Sequence, residues 1–323
     1  MNFCRKAAIA SIAICVCGTI PLTPPALGQT RDEGPWWPHA VWGPEDQVGA
    51  SNWITPEKIL EAISLVKTGK VYEMGHIYER GMPLLGSRSF AMFLVPGTPG
   101  ADSGLVFNEE FLSAEIGQVG TQFDGFGHIG KRVQMEDGTV ADVFYNGVTF
   151  DDMRSRNGLL QLGVEKIKPY FTRGILIDVA GYKKLEILPN DYEVTMSDVR
   201  GAMAVQGLDE NQIDPGDALF FNFGWGSLWD EPERMLNNWG RRPLVAQDVL
   251  DWIIGRSPSV VGWDTGASGA GHAQLIMMNG IPNMEFMNYR ELIDDGAFEF
   301  MFVFTPLRLK GATGSPGRPL AIR

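Results

Sequence analysis

Cysteine is almost missing from this 323-residue sequence, since Cys4, Cys15 and Cys17 are the only three and all lie within the first 28 residues. Basic residues are also in the minority, with 27 Lys and Arg against 39 Asp and Glu and a net charge of -12. A chain this acidic lacks the basic surface that neutralises nucleic-acid phosphates or anionic lipid headgroups. We therefore expect no nucleic-acid partner and no binding to a membrane surface.

Two common catalytic signatures are absent as well. The sequence has neither a Gly-rich loop ending in Lys-Ser/Thr nor a G-x-S-x-G nucleophile elbow. These absences argue against a P-loop NTPase and against an α/β-hydrolase. The Gly-rich stretch 262–271 resembles a phosphate loop in composition, but it lacks the lysine, and we predict a flexible loop that follows a strand.

Residues 1–28 are predicted to be a secretory signal peptide. Arg5 precedes an apolar run over 7–20, and small residues at Ala26 and Gly28 suit a cleavage site. The run is too short to span a bilayer comfortably, although a buried helix is the alternative interpretation. We expect a periplasmic or secreted protein that is free of the membrane after cleavage. The processed chain would then contain no disulfide, no thiolate nucleophile and no Cys-ligated metal.

The remaining chain is predicted to be an N-terminal arm over 29–54 and a single domain over 55–323. The arm is rich in Trp, Pro and Gly, and it either packs on the body or helps to wall an active site, including that of a neighbouring subunit. Nearly continuous apolar runs predict strands that are covered on both faces. The predicted strands are 71–78, 174–179, 218–223, 259–263 and 300–305. An amphipathic helix is predicted over 243–254, so the fold class is α/β, with a mixed β-sheet core and flanking helices.

Histidine is scarce, with only four in the chain, and one of them ends the most informative segment, 118–128. In this segment Gln118, Gln122, Asp124 and His128 have the same parity, so an extended backbone would direct all four to one face. The glycines between them leave room for the backbone to curl, which would let the four side chains converge. Carboxylate, imidazole and amide groups at one point suit a divalent cation, but a polar strand edge with its own hydrogen bonds is equally compatible.

The segment resembles the signature of the cyclase family that includes bacterial kynurenine formamidase and isatin hydrolase. The family motif is His-x-Gly-Thr-His-x-Asp-x-x-x-His, and four of its positions agree here. The two leading histidines are replaced by Gln118 and Gln122. The resemblance covers most of the chain, and further matching stretches are 42–47, 174–178, 214–217, 223–225, 262–264, His272, Glu285 and 306–316.

The resemblance implies a swivelling β/β/α fold, a homodimer or homotetramer, and a divalent metal site. It implies Asp124, His272 and Glu285 as metal ligands, with Gln118 and Gln122 at the two departing positions, and His128 as general acid/base. An amide oxygen is a hard, neutral ligand that suits Mn²⁺ better than Zn²⁺. With these replacements, the metal differs from that of the relatives, or one site is lost, or both are.

Three functions remain open from the sequence. The first is a metal-dependent hydrolase for an amide, lactam, lactone or ester bond of a small cyclic or aromatic substrate. The second is a metal-free cyclase, dehydratase or isomerase that uses the same carboxylates and histidines, and the third is a small-molecule binding protein with a lost active site. Phe123, Phe126 and Trp225 are candidate aromatic walls for the substrate, or else core residues. Arg88 either holds a substrate carboxylate or forms a surface ion pair.

Overall fold

A computed structural model describes residues 36–97 and 104–323. The predicted signal peptide 1–28 and the first residues of the predicted arm lie outside the described residues. Every helix within the described ranges is too short or too polar to span a lipid bilayer.

Seventeen strands and eight α-helices make up the described fold. The strands are β1 Val71–Glu73, β2 Phe90–Pro96, β3 Asn108–Ala114, β4 Gln122–Asp124, β5 Lys131–Gln134, β6 Val140–Val143, β7 Arg154–Ser155, β8 Gly158–Leu159, β9 Tyr170–Asp178, β10 Glu193–Val194, β11 Ala218–Asn222, β12 Leu244–Val245, β13 Val260–Trp263, β14 Asn283–Glu285, β15 Glu299–Phe304, β16 Gly314–Pro316 and β17 Leu320–Ile322. The helices are α1 Pro56–Ile63, α2 Phe150–Met153, α3 Val179–Lys183, α4 Met196–Gln206, α5 Pro232–Asn238, α6 Gln247–Arg256, α7 Gly269–His272 and α8 Arg290–Asp294. Short 3-10 segments and one π-helix complete the described structure. The 3-10 segments are Gly49–Trp53, Tyr145–Gly147, Val164–Lys166, Glu210–Gln212, Trp225–Asp230 and Trp239–Arg241, and the π-helix is Ala273–Met278.

A nine-stranded mixed sheet forms the body, in the order β1-β17-β15-β9-β11-β13-β14-β4-β16. Strands β9, β11, β13 and β14 are parallel to one another, and the neighbours on both sides pair antiparallel. This confirms the predicted α/β class with a mixed sheet. The apolar runs predicted as strands at 174–179, 218–223, 259–263 and 300–305 correspond to β9, β11, β13 and β15.

The central strands are buried on both faces, which explains why their sequences are nearly continuous in apolar residues. Ile175 and Phe221 face a core that is closed by helices including α4 and α6, whereas Leu176 and Phe220 face the core on the other side. Two predicted boundaries were wrong. The strand predicted over 71–78 ends at Glu73, and the helix predicted over 243–254 begins only at Gln247, because Leu244–Val245 pairs with β10.

The described part of the arm lies on its own domain. Trp36 is buried against Met277 and Met278 of the π-helix, and its indole N–H donates to the carbonyl of Phe144 at 3.1 Å. The side-chain amide of Asn146 donates to arm carbonyls at residues 43, 44 and 46. The arm therefore supports the π-helix that directly follows His272.

One hairpin, formed by β2 and β3, stands apart from the main sheet. Its large apolar side chains are 37–76% exposed, although a two-stranded hairpin alone is at best marginally stable in water. These side chains are Met92, Phe93, Leu94, Val95, Phe111 and Leu112. The β2–β3 hairpin therefore exposes six large apolar side chains on a single pair of strands.

Candidate metal centre

Two neighbouring antiparallel strands, β4 and β14, bring together the polar residues of the site. Asp124 pairs with Asn283, and Gln122 pairs with Glu285. Because alternate residues of a strand point to the same face, these four side chains share one side of the sheet. Both carboxylates are almost completely buried there, with Asp124 at 0% and Glu285 at 4% exposure.

His272 reaches the two carboxylates from the end of α7. Its Nε2 lies 3.0 Å from Oε1 of Glu285 and 3.4 Å from Oδ2 of Asp124, and its Nδ1 lies 2.9 Å from the carbonyl oxygen of Ser268. Burial alone would lower the pKa of His272, but the charge of Glu285 and the hydrogen bonds to both carboxylates raise it to about 11. Burial would likewise raise the pKa of Asp124, yet the charges of His128 and His272 hold it below its ordinary value. The side chains therefore form a charged hydrogen-bonded cluster.

His128 joins the same cluster from a turn that follows β4. Its backbone N–H donates to the carbonyl of Gly125 at 3.0 Å, and this turn brings its ring to a centroid distance of 5.9 Å from that of His272. One ligand atom each from Asp124, His128 and His272 lie within 4.8 Å of one another. His128 and His272 are both half-buried, whereas Asp124 between them is fully buried.

The two glutamines act as donors to the carboxylates in this structure. Nε2 of Gln118 lies 3.2 Å from Oδ1 of Asp124, and Nε2 of Gln122 lies 3.3 Å from the same oxygen and 3.4 Å from Oε2 of Glu285. Oε1 of Gln122 is buried and, among the described residues, has no hydrogen-bond partner. Arg88 donates to Oε1 of Gln118 at 3.4 Å. Within the described ranges it forms no ion pair.

The structure also adds a site residue that the sequence reasoning missed. Nδ2 of Asn283 donates to Oδ2 of Asp124 and to Oε1 of Glu285, each at 3.0 Å. The indole N–H of Trp263 donates to Oδ1 of Asn283, which fixes the orientation of that amide. The signal was present in the sequence, because Asn283 lies two residues before Glu285 in a short apolar stretch and therefore shares its face.

The predicted aromatic walls are part of the core instead. Phe123 is fully buried beside Phe304, and Phe126 is fully buried and stacks on Tyr145 at 4.5 Å between ring centroids. Trp225 is 1% exposed. These three side chains offer almost no surface to a ligand in this structure, and Phe123 lies on the face of β4 opposite to Asp124.

The side chains present fit a divalent cation. Carboxylate oxygens and imidazole nitrogens are ligands for Mn²⁺ and Zn²⁺, and a buried amide oxygen without a partner is a further donor of the kind that Mn²⁺ accepts. When both histidines are unprotonated, as metal ligands must be, the two buried carboxylates leave negative charge that a cation would balance. The carbonyl of Ser268 accepts from Nδ1 of His272, which would direct an unprotonated Nε2 toward the cation.

A separate cavity of about 1110 Å³ opens at the carboxyl ends of β9 and β11. Its lining includes Asp178, Asn222, His76 and Trp229, and none of the clustered carboxylates and histidines. Ligands commonly bind at this edge of a parallel sheet. The cluster of Asp124, His128 and His272 lies instead beside β4 and β14. A search for a site only at the carboxyl ends of β9 and β11 would therefore have found this cavity and missed the cluster.

Fold and site together define an α/β protein of the cyclase class. The chain belongs to the family described as Putative cyclase, which matches residues 47–269. A solved structure of a protein described as a novel cyclase is 27% identical, with a TM-score of 0.74, and the match covers 87% of this chain and 98% of that one. No curated protein matches the sequence.

Two isatin hydrolases share the fold at lower identity. Isatin hydrolase A from Ralstonia solanacearum is 18% identical, with a TM-score of 0.55, and the match covers 79% of this chain and 92% of that one. Isatin hydrolase A from Labrenzia aggregata, solved with benzyl benzoate, is 16% identical, with a TM-score of 0.53 and coverage of 78% and 93%.

Proposed function

We propose that this protein is an exported, metal-dependent hydrolase that cleaves a C–N or C–O bond at the carbonyl of a small cyclic or aromatic amide, lactam, lactone or ester. The observation that carries the proposal is the cluster of Asp124, His128 and His272, with Glu285 3.0 Å from His272. Family membership and the shared fold of two isatin hydrolases support hydrolysis of a cyclic amide in particular. The pattern of residues 1–28 supports export.

A divalent cation held by these side chains would polarise a carbonyl and make a water molecule more acidic. The protein's own groups prepare the site for it. Asn283 and Gln122 donate to both carboxylates and hold them in place as acceptors, and the β4–β14 pairing fixes the backbone beneath them.

His128 is the proposed general acid/base. It is half-buried beside Asp124 and His272, and it would accept the proton of the attacking water and deliver it to the leaving nitrogen or oxygen. Such proton transfer typically contributes about 10²–10⁴-fold to the rate. His272 is less suited to this role, because its two ring nitrogens are held by Ser268 and by the carboxylates.

The test is turnover of isatin and of a panel of lactams, lactones, aryl amides and esters by protein loaded with Mn²⁺ or Zn²⁺, followed by absorbance. We expect His128→Ala to lower kcat by about 10²–10⁴-fold while the fold is kept. His39→Ala removes a histidine of the arm and is the matched control, with kcat expected within about twofold of wild type.

Other results would replace the proposal. Full turnover after chelation and dialysis would indicate the metal-free cyclase, dehydratase or isomerase. A compound that binds tightly and is recovered unchanged would indicate a binding protein. An unchanged kcat for His128→Ala would show that the proton-transfer role belongs to another group.

A further inference from the structure

Arg242 is a partly buried arginine that forms no ion pair with any carboxylate of the described chain. Its guanidinium donates instead to three backbone carbonyls: Nε to Gly266 at 3.0 Å, Nη2 to Ala267 at 2.7 Å and Nη1 to Trp239 at 2.9 Å. The guanidinium also lies over the Trp239 ring, 4.3 Å from its centroid. The planar fork of an arginine is the side chain best able to bind several fixed acceptors at once.

The loop that Arg242 holds wraps around the carboxylate of Glu285. The backbone N–H of Ala267 donates to Oε1 of Glu285 at 3.0 Å. A Cβ atom on Gly266 would lie 2.8 Å from both oxygens of that carboxylate, so a larger residue would displace the carboxylate from this position. At the next residue, the carbonyl of Ser268 accepts from Nδ1 of His272. The segment 266–268 therefore contacts both Glu285 and His272.

We propose that Arg242 is a positioning residue that fixes Glu285 and His272 through the loop 266–268. The proposal rests on the proposed function, because it assigns the loop the task of holding two ligands of the cation. Two further glycines follow in 269–271, so ordering this part of the chain costs much conformational entropy, and the hydrogen bonds of Arg242 would offset this cost.

Charge alone cannot explain an arginine here. A positive group close to Glu285 opposes the binding of a cation, so its benefit has to come from the hydrogen bonds to the loop. Arg242→Lys keeps the positive charge and removes the fork, and it therefore isolates that contribution. Arg241→Lys makes the same change at the adjacent residue, whose exposed side chain pairs with Asp191, and it is the matched control.

The experiment has two readouts at a temperature where all variants are folded. The first is hydrogen exchange of the Ala267 amide in metal-free protein, and the second is the Kd for Mn²⁺ alone. For Arg242→Lys we expect exchange at least about tenfold faster and Mn²⁺ binding about 10–100-fold weaker, the usual effect of losing support around metal ligands. For Arg241→Lys both should stay within about twofold of wild type.

Unchanged exchange at Ala267 in Arg242→Lys would overturn the proposal, and so would faster exchange with an unchanged Kd. If the lysine variant does not fold, Arg242→Gln, which keeps one amide donor group, is read by the same exchange measurement, and protection of Ala267 equal to wild type refutes the clamp. If wild-type protein binds neither Mn²⁺ nor Zn²⁺, the proposed function fails on its metal, while the exchange readout still decides whether Arg242 orders the loop against Glu285.

Discussion

Replacing Asp124 by asparagine is the most direct probe of whether the buried cluster binds a cation. The two oxygens of Asp124 accept from Gln118, Gln122 and Asn283 and contact Nε2 of His272, so the side chain is held from every side. An asparagine of the same shape would occupy the same place. It lacks the negative charge, and its NH₂ group would face donors whichever way the amide is turned.

The magnitude follows from ligand linkage. A cation that binds only the folded protein, at a free concentration of 100 times its Kd, stabilises it by about 2.7 kcal/mol. For a chain of this size that corresponds to a rise in Tm of roughly 5 °C. In Asp124→Asn we expect this metal-dependent rise to fall below about 1 °C, because a carboxylate ligand is lost and the amide cannot turn an oxygen inward without leaving two donors unpaired.

The assay is thermal unfolding with excess Mn²⁺ and with EDTA, and the quantity compared is the difference in Tm for each variant. Working with the difference removes the effect of the substitution on the metal-free protein. Asp142→Asn is the control, since it makes the same chemical change at an exposed carboxylate that pairs with Arg132. A metal-dependent rise in Asp124→Asn equal to that of Asp142→Asn would refute the assignment of Asp124 as a ligand.

Three other predictions concern pH, assembly and processing. Burial lowers the pKa of His76 to about 4, so its contribution to the free energy of unfolding should be complete above about pH 6.5 and should fall by up to about 3 kcal/mol as the pH drops to 4. In a plot of the urea midpoint against pH, His76→Gln should flatten this part of the curve, and a curve identical to that of the wild type would contradict the lowered pKa of His76. We propose that the chain forms a dimer or tetramer through the β2–β3 hairpin, so Leu94→Glu should shift the mass measured by light scattering toward that of the monomer. Val140→Glu, on another exposed hairpin, should leave the mass unchanged, and a monomeric wild-type protein would refute the proposed assembly. Protein exported from a bacterial host should begin at Gln29 on N-terminal sequencing, and an intact start would contradict cleavage after Gly28.

The strand pattern was the part of the fold that the sequence made most predictable. Strands β9, β11, β13 and β15 are largely buried on both faces, and such burial leaves a nearly continuous apolar run in each of them. The boundaries of short elements were harder to predict from the sequence. The helix α6 begins later than its amphipathic pattern suggests, because a two-residue pairing with β10 claims Leu244 and Val245, and pairing partners cannot be read from local sequence.

The sequence indicated which residues of segment 118–128 lie together at the candidate site, but not how the backbone brings them together. The sequence suggested that a fully extended segment could bring the side chains of Gln118, Asp124 and His128 together. Within residues 118–128, however, only Gln122–Asp124 is a strand. The chain turns at Gly120, where φ is +65°, and again after residue 124, so turns rather than alternation bring the outer two residues in. The glycines that permit these turns were visible in the sequence, but their direction was not.

Arg242 could not have been found from the sequence, for a physical reason. Its partners are backbone carbonyls of a loop 24 and 25 residues away, and a carbonyl carries no residue-specific signal. The loop itself was correctly predicted to follow a strand, but its glycine composition suggested flexibility. At Gly266 the backbone passes so close to the Glu285 carboxylate that a Cβ atom there would displace it.

The placement of Asp124 on β4 and Glu285 on β14 has a consequence for the dynamics of the sheet. Strand β4 pairs with β14 on one side and with the edge strand β16 on the other. If β4 and β16 detach together from β14, the two carboxylates separate although the parallel strands stay intact. A cation bound by both carboxylates would link β4 to β14. The rate at which β4 and β16 detach from the sheet would then decrease as the concentration of free metal rises.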